Sequence, residues 1–178
     1  AGIDSIDFRK RNLQGNPRLL GTLEAIEQRL KSWQVGAGRH IGIAAHGSFQ
    51  SYVAQAAEVS VEQGKIRVHR MLSAIDCGQV VNPDIVRAQV EGAIMYGLTA
   101  VLYGDVQIDK GAVKESNFHD YPMLRMNESP EIEVVIIDSG TKPTGVGEPG
   151  LPPIAPAVAN AVYKATGQRL RSLPLQLA

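Results

Sequence analysis

Residues 51–76 read SYVAQAAEVSVEQGKIRVHRMLSAID, two long runs rich in Val, Ile and Ala on either side of Glu62-Gln63-Gly64-Lys65. Apolar and β-branched runs of this length, parted by a short turn containing Gly, predict two antiparallel strands joined as a hairpin. HIGIAAHG at 40–47 has the same character and predicts a further strand. A sheet built on this hairpin is therefore the centre onto which the rest of the chain must pack.

The flanking segments change period. Asp4 is placed to cap a helix from Ser5 to Leu13, and Gly15-Asn16-Pro17 breaks it. Leu19, Leu20, Leu23, Ile26 and Leu30 recur at helical spacing, which predicts a second helix over 18–33. VGAGRH at 35–40 reads as a flexible connector and as the best internal boundary, dividing an N-terminal helical segment (1–35) from a larger α+β unit (36–178). Further on, Asn82 and Pro83 form a strong helix start, and Ala88, Gly92, Ala93 and Gly97 give that helix a small-residue face. Another hairpin is expected around Asp109-Lys110-Gly111, a strand over 131–138, and a last helix over 153–166 that ends at Gly167. Antiparallel strands interrupted by packed helices indicate an α+β fold, an antiparallel or mixed sheet with helices on it. No internal repeat is visible.

Composition bounds the function. The 178 residues suffice for one domain with a real core or two small ones, and 44% hydrophobic against 20% charged residues is a globular balance. Eighteen basic residues offset eighteen acidic ones, so no global field favours nucleic acid or an anionic membrane. Cys77 is the only cysteine, which excludes an intrachain disulfide and a Cys-rich metal cage. No uninterrupted apolar run reaches the roughly 18–20 residues that span a bilayer. The opening AGIDSIDFRKRNL lacks Met and an apolar leader core, and reads as sequence from within a longer protein.

Most chemistry-bearing residues have a plain structural reading. His40, His46, His69 and His119 lack ligand spacing, so no metal site is expected within this chain. Ser48 and Ser60 lack the context of a hydrolase nucleophile, and Gly36 and Gly38 precede a strand instead of following one. Cys77 reads as a small buried hydrophobe. Two stretches ask for more. DCGQVVNPDIVRAQVEG at 76–92 feeds a turn into a capped helix whose N-terminus suits phosphate, with Gln89 about two turns in, where it reaches a ligand lying across the helix or serves as a surface residue. TGVGEPGLPPIAPAVANAV at 144–162 places Glu148 among residues chosen for backbone geometry, as a partner for the helix dipole or as an acid with work to do.

The order of motifs is more specific than any one of them. GIDSIDFRKRNL, EVSVEQGKIRVHRMLSAIDCGQVVNPDIVRAQVEGAIMYGL, SNFHDYPMLRMNESPEIEV and GVGEPGLPPIAPAVANAVYKATGQRLRSLPL occur in sequence. Together they resemble the C-terminal part of the molybdopterin-binding large subunit of the xanthine oxidase family, the molybdenum hydroxylases. NFHDYPMLRMNE and TGVGEPGLPPIAPA look closest to the bacterial isoquinoline oxidoreductase and aldehyde dehydrogenase branch.

The resemblance implies oxidative hydroxylation of an aldehyde or N-heterocycle with oxygen derived from water. In this family a glutamate of a Gly-x-Gly-Glu stretch acts as general base toward the metal-bound hydroxyl, and that role falls on Glu148. The glutamine of a Gly-Gln-x-x-Gly segment lies near the pterin and falls on Gln89, although Ala88 stands where the family has Gly. Gly147 is expected close to the metal centre. The implied cofactor is molybdopterin in its cytosine dinucleotide form carrying molybdenum, with iron–sulfur clusters on a small partner subunit. The rest of the large subunit is implied as a further partner. Taken alone, this chain is expected to hold no stable molybdenum site and to turn nothing over. Cytoplasm and periplasm both fit. A non-catalytic binding or assembly domain of the same fold is the alternative, with a hydrolase using Glu148 behind it.

Overall fold

The hairpin lies at the middle of a four-stranded sheet in the computed structural model, which describes residues 2–177. Strands β1 (Arg39–Ser48), β2 (Ser51–Glu62) and β3 (Lys65–Asp76) pair antiparallel in sequence order. Two short strands, β4 (Ile108–Asp109) and β5 (Ala112–Val113), form a separate hairpin, and β6 (Glu131–Ile137) joins β3 in parallel, with Met71 opposite Ile132. The sheet is therefore mixed, in the order β1-β2-β3-β6. Both tight turns put two residues in the left-handed region, Phe49 and Gln50 at φ 52° and 60°, then Gln63 and Gly64 at 51° and 77°. That geometry matches the twist of the strands it joins.

Helices cover both faces, which is why β2 and β3 read as nearly continuous apolar runs. Val53, Ala57, Met71 and Ile75 face helices α3 (Pro83–Leu102) and α4 (Ile154–Thr166). Ala54, Ala56, Leu72 and Ala74 face Leu23 and Ile26 of helix α2 (Pro17–Leu30). A short helix α1 (Ser5–Asn12) precedes it, with the Asp4 carboxylate accepting from the Ile6 and Asp7 N–H groups. Strand β1 approaches α4 so closely that a Cβ on Gly42 would lie 2.0 Å from the Ala157 carbonyl oxygen.

Helix α2 starts one residue earlier and ends three residues earlier than its periodicity predicts. Asn16 caps it through the Leu19 N–H, and Pro17 takes its first position, so the residues that end α1 also begin α2. At the other end Trp33 leaves the helix to donate its Nε1–H to Glu58 Oε2 at 2.6 Å. The connector over 35–40, expected to be flexible, is tied to the same carboxylate. The Gly36 N–H donates to Glu58 Oε1 at 3.3 Å and Arg39 Nη1 at 3.0 Å, while Arg70 stacks 4.1 Å above the Trp33 ring.

Helix α3 has a length and average composition that would let it cross a bilayer. Here Val90, Ile94 and Leu98 are fully buried in the core beside α4, and Asp84, Arg87 and Glu91 interrupt the helix on its exposed side. Helix α4 ends as expected on Gly167, whose φ of 75° and N–H donated to the Tyr163 carbonyl make a left-handed C-terminal stop.

Candidate active-site groove

The residues before and after the groove are held by polar contacts that begin at the end of β3. Asp76 is buried and accepts from Arg18 Nε and Nη2 at 3.0 and 2.6 Å, from the Gly78 N–H and from Ser139 Oγ. Burial works against its charge, but these donors outweigh it and hold the carboxyl below the usual Asp range. Gly78, at φ 74°, lets the backbone pass the Lys142 carbonyl, which a Cβ would approach to 2.2 Å. The strand end and the following loop then run side by side, with Gln79 N–H donating to Thr141 O and Thr144 N–H to Cys77 O.

From there the loop is fastened to β2. Ser51 Oγ donates to the Gly145 carbonyl at 2.6 Å, and the buried Gln55 donates Nε2–H to the Gly150 carbonyl at 2.7 Å. Glu148, Pro149, Gly150 and Leu151 form a tight turn closed by Leu151 N–H donating to Glu148 O at 2.9 Å. Proline at its second position sets φ in advance. Gly150 has no positive φ to accommodate. It packs closely on α3, where a Cβ would stand 3.1 Å from Ala93 Cβ, tighter than ordinary contact.

An open groove of about 480 Å³ runs between this turn and the exposed side of α3. Ala88, Gln89, Gly92 and Tyr96 form one side, Gly147 and Glu148 the other. The three residues singled out from sequence are thus brought together: a Cβ on Gly147 would lie 3.6 Å from Gln89 Oε1. Gln89 and Glu148 are both exposed, and neither side chain makes a hydrogen bond among the described residues. The small-residue face of α3 is divided in use. Ala93 and Gly97 receive Gly150 and Ile154, while Ala88 and Gly92 stay open to the groove.

Other candidates fall away. The first N–H groups of α3 are not free for an anion as expected, since Asn82 Oδ1 accepts from Asp84 and Ile85 N–H. Burial, and then the charge of Asp76, push the Cys77 thiol up, in keeping with a small buried hydrophobe. No group of three or more His, Cys, Asp or Glu side chains able to hold a metal occurs among the described residues. Ser60 bonds His69 Nε2 across the β2–β3 pair at 2.7 Å, but Ser60 is buried. Reading the sequence missed Ser51 and Gln55. Their only signal is a hydroxyl and an amide within a strand run rich in Val and Ala.

The fold is thus a mixed sheet with helices on both faces, and a groove lies open beside α3. The family model for the molybdopterin cofactor-binding domain matches residues 29–130. The beta chain of isoquinoline 1-oxidoreductase from Brevundimonas diminuta is 39% identical over 98% of this chain and 23% of its own length. A nicotinate dehydrogenase polypeptide of Pseudomonas putida is 31% identical over 98% of this chain and 16% of its own length. The crystal structure of quinoline 2-oxidoreductase from Pseudomonas putida shares the fold, with a TM-score of 0.65 at 24% identity over 70% of this chain and 17% of that one. The aldehyde oxidoreductase of Desulfovibrio desulfuricans gives 0.60 at 30% identity, covering 70% of this chain and 14% of that one. The chain belongs to the molybdopterin cofactor-binding domain family, within the xanthine oxidase family of molybdenum hydroxylases. It spans less than a quarter of the length of these relatives.

Along one wall the groove leaves groups free for a ligand. The unengaged Gln89 amide can both donate and accept. At Gly92 a Cβ would meet nothing within 4 Å, so a flat group can lie against bare backbone there.

Proposed function

We propose that this chain supplies one wall of the active site of a molybdenum hydroxylase, and that Glu148 is its general base. The observation that carries this reading is that Gln89 and the adjacent pair Gly147-Glu148, two stretches far apart in sequence, meet at one groove. When bound, molybdopterin with its molybdenum supplies the acceptor for the two electrons removed from the substrate carbon. Glu148 Oε takes the proton from the water-derived oxygen that attacks this carbon, and its place on a closed Pro-Gly turn fixes where that proton goes. Gln89 orients the pterin through its amide, and Gly147 leaves room for the cofactor beside the acid. The cofactor would be the cytosine dinucleotide form, and iron–sulfur clusters on a small partner subunit would supply the outlet for its electrons. The names of the relatives, among them isoquinoline, nicotinate and aldehyde enzymes, support an aldehyde or N-heterocycle as substrate.

The groove is open to solvent on the side away from this chain, so the remaining walls come from the rest of the large subunit and the isolated chain is inactive. Glu148→Gln in the whole enzyme tests the reading. Turnover should fall by about a thousandfold with molybdenum content unchanged. A variant that keeps its turnover would instead favour the non-catalytic assembly role.

A further inference from the structure

Gln55 is a polar residue in an apolar place. It is fully buried on β2, between Val53 and Ala57 on the face that carries α3 and α4. Its Nε2 donates to the Gly150 carbonyl at 2.7 Å and reaches Ser73 Oγ at only 3.4 Å, while Oε1 has no partner among the described residues. An amide half-satisfied in this way is costly to bury, and the bond it does make, to the buried Gly150 carbonyl, is what offsets that cost. What Gln55 provides is therefore to be found at Gly150.

Gly150 is the third residue of the turn that begins at Glu148, and it is clamped from two sides. Its bare Cα lies against α3, where a Cβ would come within 3.1 Å of Ala93 Cβ and 3.5 Å of Val90 Cα. Its carbonyl is held from the sheet by Gln55. Only Pro149, with its fixed φ, separates this clamped residue from Glu148. The Leu151 N–H to Glu148 O bond closes the same turn, so the held carbonyl and the backbone of Glu148 belong to one hydrogen-bonded unit. We propose that Gln55 is a positioning residue for Glu148, holding the Gly150 carbonyl so that the turn presents the carboxylate to the groove. This rests on the reading of Glu148 as the base.

The test uses the whole enzyme with three variants, Gln55→Leu, Glu148→Gln and Ile26→Ala, the last on the opposite face of the sheet. Gln55→Leu cannot donate to the carbonyl. Its kcat should fall about 10- to 100-fold with KM within about twofold, because misplacing a catalytic group affects the chemical step. Hydrogen exchange at the Leu151 amide should become about tenfold faster through local opening. Ile26→Ala should lower the melting temperature yet leave the Leu151 exchange and kcat unchanged, which separates positioning from general stability. Unchanged exchange and kcat in Gln55→Leu, while Glu148→Gln is inactive, overturns the proposal. An active Glu148→Gln instead sinks the base reading, and the Leu151 exchange still decides whether Gln55 holds the turn. Should Gln55→Leu fail to assemble, Gln55→Met replaces it with the same readouts, since an unbranched side chain of similar length offers the carbonyl no N–H or O–H donor.

Discussion

Glu58 and Glu148 carry the same side chain and occupy opposite situations. Glu58 is fully buried on β2, where Trp33 Nε1, the Gly36 N–H and Arg39 all donate to it, with Arg70 3.8 Å away. Glu148 stands exposed at the rim of a groove with no partner among the described residues, yet its backbone is fixed by a proline, a turn bond and a glycine packed on α3. An acid surrounded by donors is committed to joining elements of the fold. An acid left free on rigid backbone is available to a ligand, and the difference lies in what surrounds each carboxylate.

The sharpest way to break this contrast is to remove the charge at each site and read both turnover and stability. At Glu148 the effect should fall on turnover alone: a loss of about a thousandfold should leave the thermal melting of this chain unmoved. A melting shift of several degrees in Glu148→Gln would mean that the acid is structural after all. At Glu58 the effect should appear in the fold. Glu58→Ala strands the indole N–H, the Gly36 N–H and the Arg39 guanidinium, while Arg70 keeps Glu131 at 3.4 Å, at a cost of about 3 kcal/mol, measured by urea unfolding. The arginines are partly exposed and can regain water, which keeps the figure at the lower end for a broken buried pair.

Acid titration sharpens the same comparison. Burial opposes the charge on Glu58, but bonds from Arg39, Trp33 and Gly36 outweigh it and hold the carboxyl below its ordinary 4.5. Burial likewise opposes the charge on Asp76, and Arg18, the Gly78 N–H and Ser139 hold it below its ordinary 3.8. A carboxyl depressed in the folded state contributes stability above its ordinary value and loses it as pH falls toward the folded one. The contribution of these two carboxyls should therefore be flat near neutrality and decline below about pH 4.5, where the unfolded chain begins to bind protons that the folded one refuses. Glu58→Ala should show a shallower acid slope than the unaltered chain, and equal slopes would show that Glu58 gains nothing from its donors.

Much of this was legible in the residues. The hairpin over 51–76, the Asn82-Pro83 helix start and the Gly167 stop are local signals, set by turn chemistry and periodicity, and the structure keeps all three. Gln89, three residues before Gly92, and Glu148, directly after Gly147, could be singled out because they stand in a distinctive motif order. The contacts that place them were harder to see. The parallel pairing of β6 with β3 joins segments with α3 and a long loop between them, and nothing local in EIEVVIID chooses the partner or the direction. The ordering of residues 35–40 depends on Glu58, more than a dozen residues downstream, so Gly-rich composition alone suggests flexibility that the carboxylate removes. Gln55 reveals its role only when Gly150 is known to lie above it.

The smallest effect concerns two glycines with opposite reasons to exist. At Gly42 a Cβ would lie 2.0 Å from Ala157 O and 2.2 Å from Ala161 N, so that position is glycine because β1 and α4 touch. At Gly92, in the interior of α3 and exposed, a Cβ would meet nothing within 4 Å. Folding of this chain alone gives no reason for glycine there, and alanine should stabilise the helix by about 0.5–1 kcal/mol. That gain should appear as a rise of about 2 °C in the melting temperature of Gly92→Ala. If the open backbone exists for a ligand instead, the same methyl group intrudes on the groove, and the whole enzyme should retain less molybdenum on gel filtration than the unaltered one. Higher stability with full molybdenum content would show that Gly92 leaves room for nothing, and the open side of α3 would lose its link to the cofactor.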